Sequence, residues 1–79
     1  MRMCKTPEHM IEELEAIRFK HPRALCVRYS NLASQGESIA LLHPESKENM
    51  IEYYIPWKIW NSLYPDDTVK LKNIVESFP

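Results

Sequence analysis

Glycine is almost missing from this chain: Gly36 is the only one in 79 residues. A phosphate-cradling loop needs several glycines, so nucleotide binding through a glycine-rich loop is excluded. An excess of charge of one sign is missing too, because ten Lys and Arg stand against eleven Asp and Glu for a formal net charge of −1. Neither the global field of a strongly basic nucleic-acid binder nor that of an acidic mimic is present. No segment approaches the ~20 apolar residues of a membrane span, and the opening MRMCKTPEHM lacks the apolar centre of a signal peptide. The expectation is a cytoplasmic protein with no membrane partner. Cysteine is scarce, and in a reducing compartment Cys4 and Cys26 are expected to be free thiols.

What is present is ordinary in amount and concentrated in place. Hydrophobic content of 44% beside 27% charged residues is that of a folded globule rather than a disordered chain. Residues 1–79 read as one small domain, complete in itself, with little room for a deep enzymatic cleft, since a chain of this length buries only about 60% of its unfolded surface. Both tryptophans and three of the four tyrosines lie between Met50 and Tyr64. Before Pro56, Ile51, Tyr53 and Ile55 alternate with Met50, Glu52 and Tyr54, which predicts a strand with one apolar face. After it, Trp57, Trp60 and Leu63 or Tyr64 recur at helical spacing, with Pro56 in the first turn and Pro65 as a stop. This strand-to-helix corner is expected to anchor the core.

Taken in order, Thr6-Pro7-Glu8 supplies a capping hydroxyl, a first-turn proline and an acid near the positive helix end. The predicted helix covers residues 7–20, with Met10, Ile11, Leu14 and Ile17 on one face, and Pro22 ends it. Residues 23–30 read as a strand with Leu25, Val27 and Tyr29 opposite Cys26, Arg28 and Ser30. After a loop at 31–37, a second strand covers 38–43, with Ile39 and Leu41 opposite Ala40 and Leu42. A turn at 44–49 leads into the aromatic strand and helix, and Asp66 and Asp67 are expected to cap a last helix with the stripe Leu71, Ile74, Val75 and Phe78. The expected fold class is therefore α+β: a three-stranded antiparallel meander in the order α-β-β-β-α-α, with three helices over one face.

If Leu25, Val27, Tyr29, Ile39, Leu41, Ile51, Tyr53 and Ile55 face the helices, the other face presents Cys26, Arg28, Ser30, Ala40, Leu42, Met50, Glu52 and Tyr54. Apolar anchors rimmed by charge have the anatomy of an interface, and the expected contact residues are Cys26, Arg28, Leu42, Met50, Glu52 and Tyr54. The competing expectation is that Arg28 and Glu52 pair across strands beneath a helix.

Catalytic and metal chemistry find little support. Cys4, His9, His21 and Cys26 have zinc-ligating side chains in the spacing C-x4-H-x11-H-x4-C, but one helix would hold the two histidines about 18 Å apart at ~1.5 Å per residue. Alternation places Cys26 and His43 on opposite faces, which removes the one nucleophile–base pair. No catalytic residue, metal or cofactor is expected. The sequence reads as a non-enzymatic protein-binding module, an adaptor, inhibitor or regulator, homodimeric through the open sheet face or the aromatic helix. The alternative is a small nucleic-acid-binding regulator that uses the basic cluster Arg18, Lys20, Arg23 and Arg28.

Overall fold

The computed structural model describes residues 1–30, 36–46 and 48–79. The loop expected at 31–37 therefore falls mostly outside the described residues. Thr6 adopts an extended conformation and its hydroxyl accepts the His9 N–H at 3.2 Å, while Pro7 occupies the first turn. Helix α1 runs over Pro7–Lys20, the range predicted from these signals, and buries Pro7, Met10 and Leu14. Its C-terminal end closes when the His21 N–H bonds the Ile17 carbonyl at 2.7 Å.

The sheet is larger than expected. A strand β1 over Arg2–Met3 precedes α1, and β2 (Leu25–Ser30), β3 (Glu37–Leu42) and β4 (Asn49–Ile55) follow it. Strand order is β1-β4-β3-β2, with β2 and β4 antiparallel to β3 and β1 parallel to β4. The three-stranded antiparallel meander is thus corrected to a four-stranded mixed sheet. Two residues carry no period, so β1 has no signature that alternation could reveal. The outer side of β2 is partly covered, because the Cys26 N–H bonds the Pro79 carbonyl at 3.2 Å. Edge strands blunted in this way resist uncontrolled pairing.

Gly36 shows why the chain keeps its one glycine here. A Cβ at this position would lie 2.1 Å from the Ile55 carbonyl oxygen and 2.9 Å from the Pro56 Cα. The start of β3 therefore presses against the end of β4, at the corner where the aromatic helix begins.

Helices α2 (Trp57–Leu63) and α3 (Pro65–Glu76) meet at Tyr64, which ends the first and caps the second. Pro56 is the cap of α2, and Pro65 both stops that helix and opens the next, as proline at a first helical position can. Asp66 and Asp67 lie in the first turn of α3, where they complement the helix dipole; neither is its cap. Arg18 on α1 donates to the Ile74 carbonyl at 3.2 Å and to the Ser77 hydroxyl, and its guanidinium lies 4.3 Å from the centre of the Phe78 ring. A last-turn cation of one helix thus satisfies the C-terminal end of another.

All three helices join one face of the sheet in a single core cluster. Met10, Leu14, Trp60, Leu71, Val75 and Phe78 from the helical side meet Ile39, Leu41, Tyr53 and Ile55 from the strands. The aromatic corner is part of the core: Trp60 is buried, and Trp57 and Tyr64 pack against it, whereas Leu63 is exposed. Among the described residues, no helix is long and apolar enough to cross a membrane.

Candidate functional site

Residues paired across a sheet share a face, so the register decides which side chains meet the helices. Cys26 pairs with Leu41 and Leu41 with Ile51, while Arg28 pairs with Ile39 and Ile39 with Tyr53. Ile39, Leu41 and Tyr53 are core residues, so Cys26 and Arg28 lie on the helix-covered side. The other side carries the rows Val27–Ala40–Glu52 and Tyr29–Ser38–Tyr54–Met3, with Leu25 opposite Leu42. This reverses the face expected for Leu25, Val27 and Tyr29, because relative hydrophobicity within β2 points one way and its hydrogen-bond register the other.

Of the six expected contact residues, Leu42, Glu52 and Tyr54 share the helix-free face. Met50 falls at a register shift in the β3–β4 pairing and lines a hollow with Ala16, Ile17 and His21, beside the end of α1. Arg28 and Glu52, on opposite faces, do not pair. In place of Cys26 and Arg28, β2 presents Leu25, Val27 and Tyr29, which makes the helix-free face more apolar than expected. Tyr29 is 46% exposed, and Leu25, Val27, Leu42 and Tyr54 are half-buried without joining the helical core cluster. Ala40 and Ser38 are buried between these larger neighbours, and the Ser38 hydroxyl lies 3.7 Å from the Met1 sulfur. Among the described residues, the charged side chain of this face is Glu52, whose carboxylate accepts from the Asn49 amide at 3.1 Å.

The basic cluster is dispersed. Arg18 is committed to the end of α3, Arg23 lies 3.9 Å from Glu45, Lys20 is exposed, and Arg28 lies at the mouth of a cleft. That cleft, about 560 Å³, opens between the sheet and α2 and α3, and Lys58 and Lys72 also line it. Trp57 Nε1–H donates to Glu37 at 2.6 Å on its wall, and the buried Thr68 hydroxyl there has no hydrogen-bond partner. The outward side of α2 shows Ile59 and Leu63 rather than its aromatics.

A third grouping was not read from the sequence. Cys4 is buried between β1 and α1, and its thiol donates to Glu13 Oε2 at 2.8 Å. Glu13 Oε1 is held by Arg2 at 3.0 Å, and His9 Nε2 stands 4.0 Å from Oε2. Burial, then the hydrogen bond and charge of Glu13, push the Cys4 thiol up to about 12. The Tyr53 hydroxyl, also buried and without a well-formed hydrogen bond among the described residues, is pushed up to about 12 by burial and next by the charge of the nearby Glu13, with Cys4 adding to the effect and Arg2 opposing it. The i,i+4 pair His9 and Glu13 is visible on a helical projection; Cys4 is brought to it by the pairing of β1 with β4. His21 and Cys26, the other half of the mirror-like spacing, are elsewhere: His21 is 6.2 Å from the His43 ring, and Cys26 is a free, half-buried thiol raised by burial against the opposing pull of Arg28.

Comparison of the chain with protein-family models, with curated proteins and with solved structures found no significant match.

Proposed function

We propose that this chain is a non-enzymatic protein-binding module that pairs with a second copy of itself through the helix-free face of its sheet. The observation that carries the reading is that β2 turns its most apolar side, Leu25, Val27 and Tyr29, away from the helices and toward Leu42 and Tyr54. Apolar anchors without a covering layer are the feature that separates an interface from ordinary surface.

A second copy suits this face for two reasons. Among the described residues Glu52 is its one charged side chain, and the chain's net charge is −1, so two copies meet with little repulsion. A twofold axis running along β3 sets Tyr29 of one copy against Tyr54 of the other and Leu42 against Leu42, with Val27 beside Glu52. Size sets the strength. Three strands at ~4.8 Å spacing and six residues at ~3.4 Å give a footprint of roughly 300 Å² per copy. Stable interfaces bury about 800 Å² per partner, so the dimer belongs to the weak, exchanging class.

Sedimentation equilibrium across a concentration series tests this. The expected mass rises from the 9.4 kDa protomer toward twice that value, equally at low and high salt, because apolar association is not weakened by salt. Tyr29→Glu combined with Tyr54→Glu should hold the protein at the protomer mass with the melting transition unchanged. A protomer mass at every concentration, or a dimer indifferent to these substitutions, overturns the proposal. Co-purified nucleic acid that salt strips away would favour the basic residues instead.

A further inference from the structure

We propose that Cys4, His9 and Glu13 form a binding site for a divalent cation of the zinc class, close to the buried Tyr53 hydroxyl. This site lies on the helix-covered side and is independent of the self-pairing face.

The donor set is that of zinc: a thiol, an imidazole and a carboxylate, with ligand atoms all within 4.8 Å of one another. Bonds of ~2.3 Å to sulfur and ~2.0 Å to nitrogen and oxygen at tetrahedral angles set donors about 3.3–3.6 Å apart. The separations of 2.8 Å between Cys4 and Glu13 and 4.0 Å between His9 and Glu13 straddle that value. Adjustments of about 1 Å close the site, and the largest falls on His9, whose side chain is 54% exposed and free to turn.

Three further features point to a cation. Arg2 anchors one oxygen of Glu13 and leaves the other directed at the thiol, which is how outer partners orient ligating carboxylates. A thiolate and a carboxylate together neutralise a divalent charge, and the Arg2 guanidinium beside them, 59% exposed, keeps its own charge in solvent. Among the described residues the Tyr53 hydroxyl makes no well-formed hydrogen bond, although Glu13 lies close to it, and a metal-bound water there would complete its bonding. On binding, the Cys4 S–H bond breaks, a sulfur–metal bond forms, the proton leaves to solvent, and no oxidation state changes.

Cobalt(II) is the probe, titrated into the reduced full chain carrying Cys26→Ser, so that any thiolate signal belongs to Cys4. The expected result is one equivalent of cobalt with a thiolate-to-metal charge-transfer band and intense tetrahedral visible bands, all displaced by zinc. Because loss of an outer-shell partner costs roughly 10–100-fold in affinity, Arg2→Gln should weaken binding by about tenfold and His9→Ala, which removes a ligand, by at least about 100-fold. His9 is an exposed helical residue, so its loss leaves the fold intact, as circular dichroism would verify. Absence of the thiolate band, or full affinity retained in His9→Ala, overturns the site. Binding lost in His21→Ala instead would also overturn it, by transferring the metal to His21 and His43.

Discussion

The two faces of the sheet are built by opposite rules. On the covered face, β3 and β4 present Ile39, Leu41, Tyr53 and Ile55, and three helices bury them completely. On the same face, β2 presents Cys26, which packs against the core, and Arg28, where the helical layer gives way to a cleft. On the free face the gradient runs the other way: β2 is the most apolar strand with Leu25, Val27 and Tyr29, while β3 is narrow with Ser38 and Ala40. An edge strand is thus not bound to turn its greasier side to the core. Polar and charged side chains are tolerated under helices when they reach a cleft, and apolar ones on the free face become available for contact.

Substitutions on the two faces should therefore fail in different ways. Trp60→Ala empties the centre of the covered side and should lower stability by ~3–5 kcal/mol, measured by chemical denaturation. An unaffected midpoint would mean that the helices contribute little to the core. Gly36→Ala forces a methyl into the Ile55 carbonyl at the corner joining strand and helix, and should cost about 1–3 kcal/mol, as overpacking does. Arg18→Ala removes the tie between α1 and the end of α3, with an expected loss of roughly 1–2 kcal/mol and faster amide exchange at Ser77 and Phe78. Smallest of all, Tyr29→Glu on the free face should change protomer stability by no more than about 0.5 kcal/mol. If it destabilised the protomer as much as Trp60→Ala, the free face would be core and the contrast between the faces would collapse.

Much of the fold was legible in the residues. Thr6 and Pro7 mark the start of α1 to the residue, and Pro22 and Pro65 mark stops, because caps and proline act within one turn of chain. The periods of β3 and β4 name the helix-covered side correctly for Ile39, Leu41, Ile51, Tyr53 and Ile55, although Ser38 and Ala40 on the other side of β3 are buried too and Met50 leaves the alternation at the register shift. The candidate contact surface was legible in half: Leu42, Glu52 and Tyr54 share the free face, while Cys26 and Arg28 do not. Within β2 both sides carry residues that a sheet accepts, so nothing local distinguishes them.

By itself, the sequence determined what depends on neighbours along the chain: where α1 begins and ends, where proline divides α2 from α3, and that β2, β3 and β4 extend. Tertiary structure alone decided the parity of β2, the addition of β1 beside β4, and the meeting of Cys4 with His9 and Glu13. The physical reason is that side chains alternate with a period of two, so that a one-residue change in register moves a whole strand to the other face. Register is set by hydrogen bonds to a partner strand far away in sequence, and no pattern within six residues can encode it.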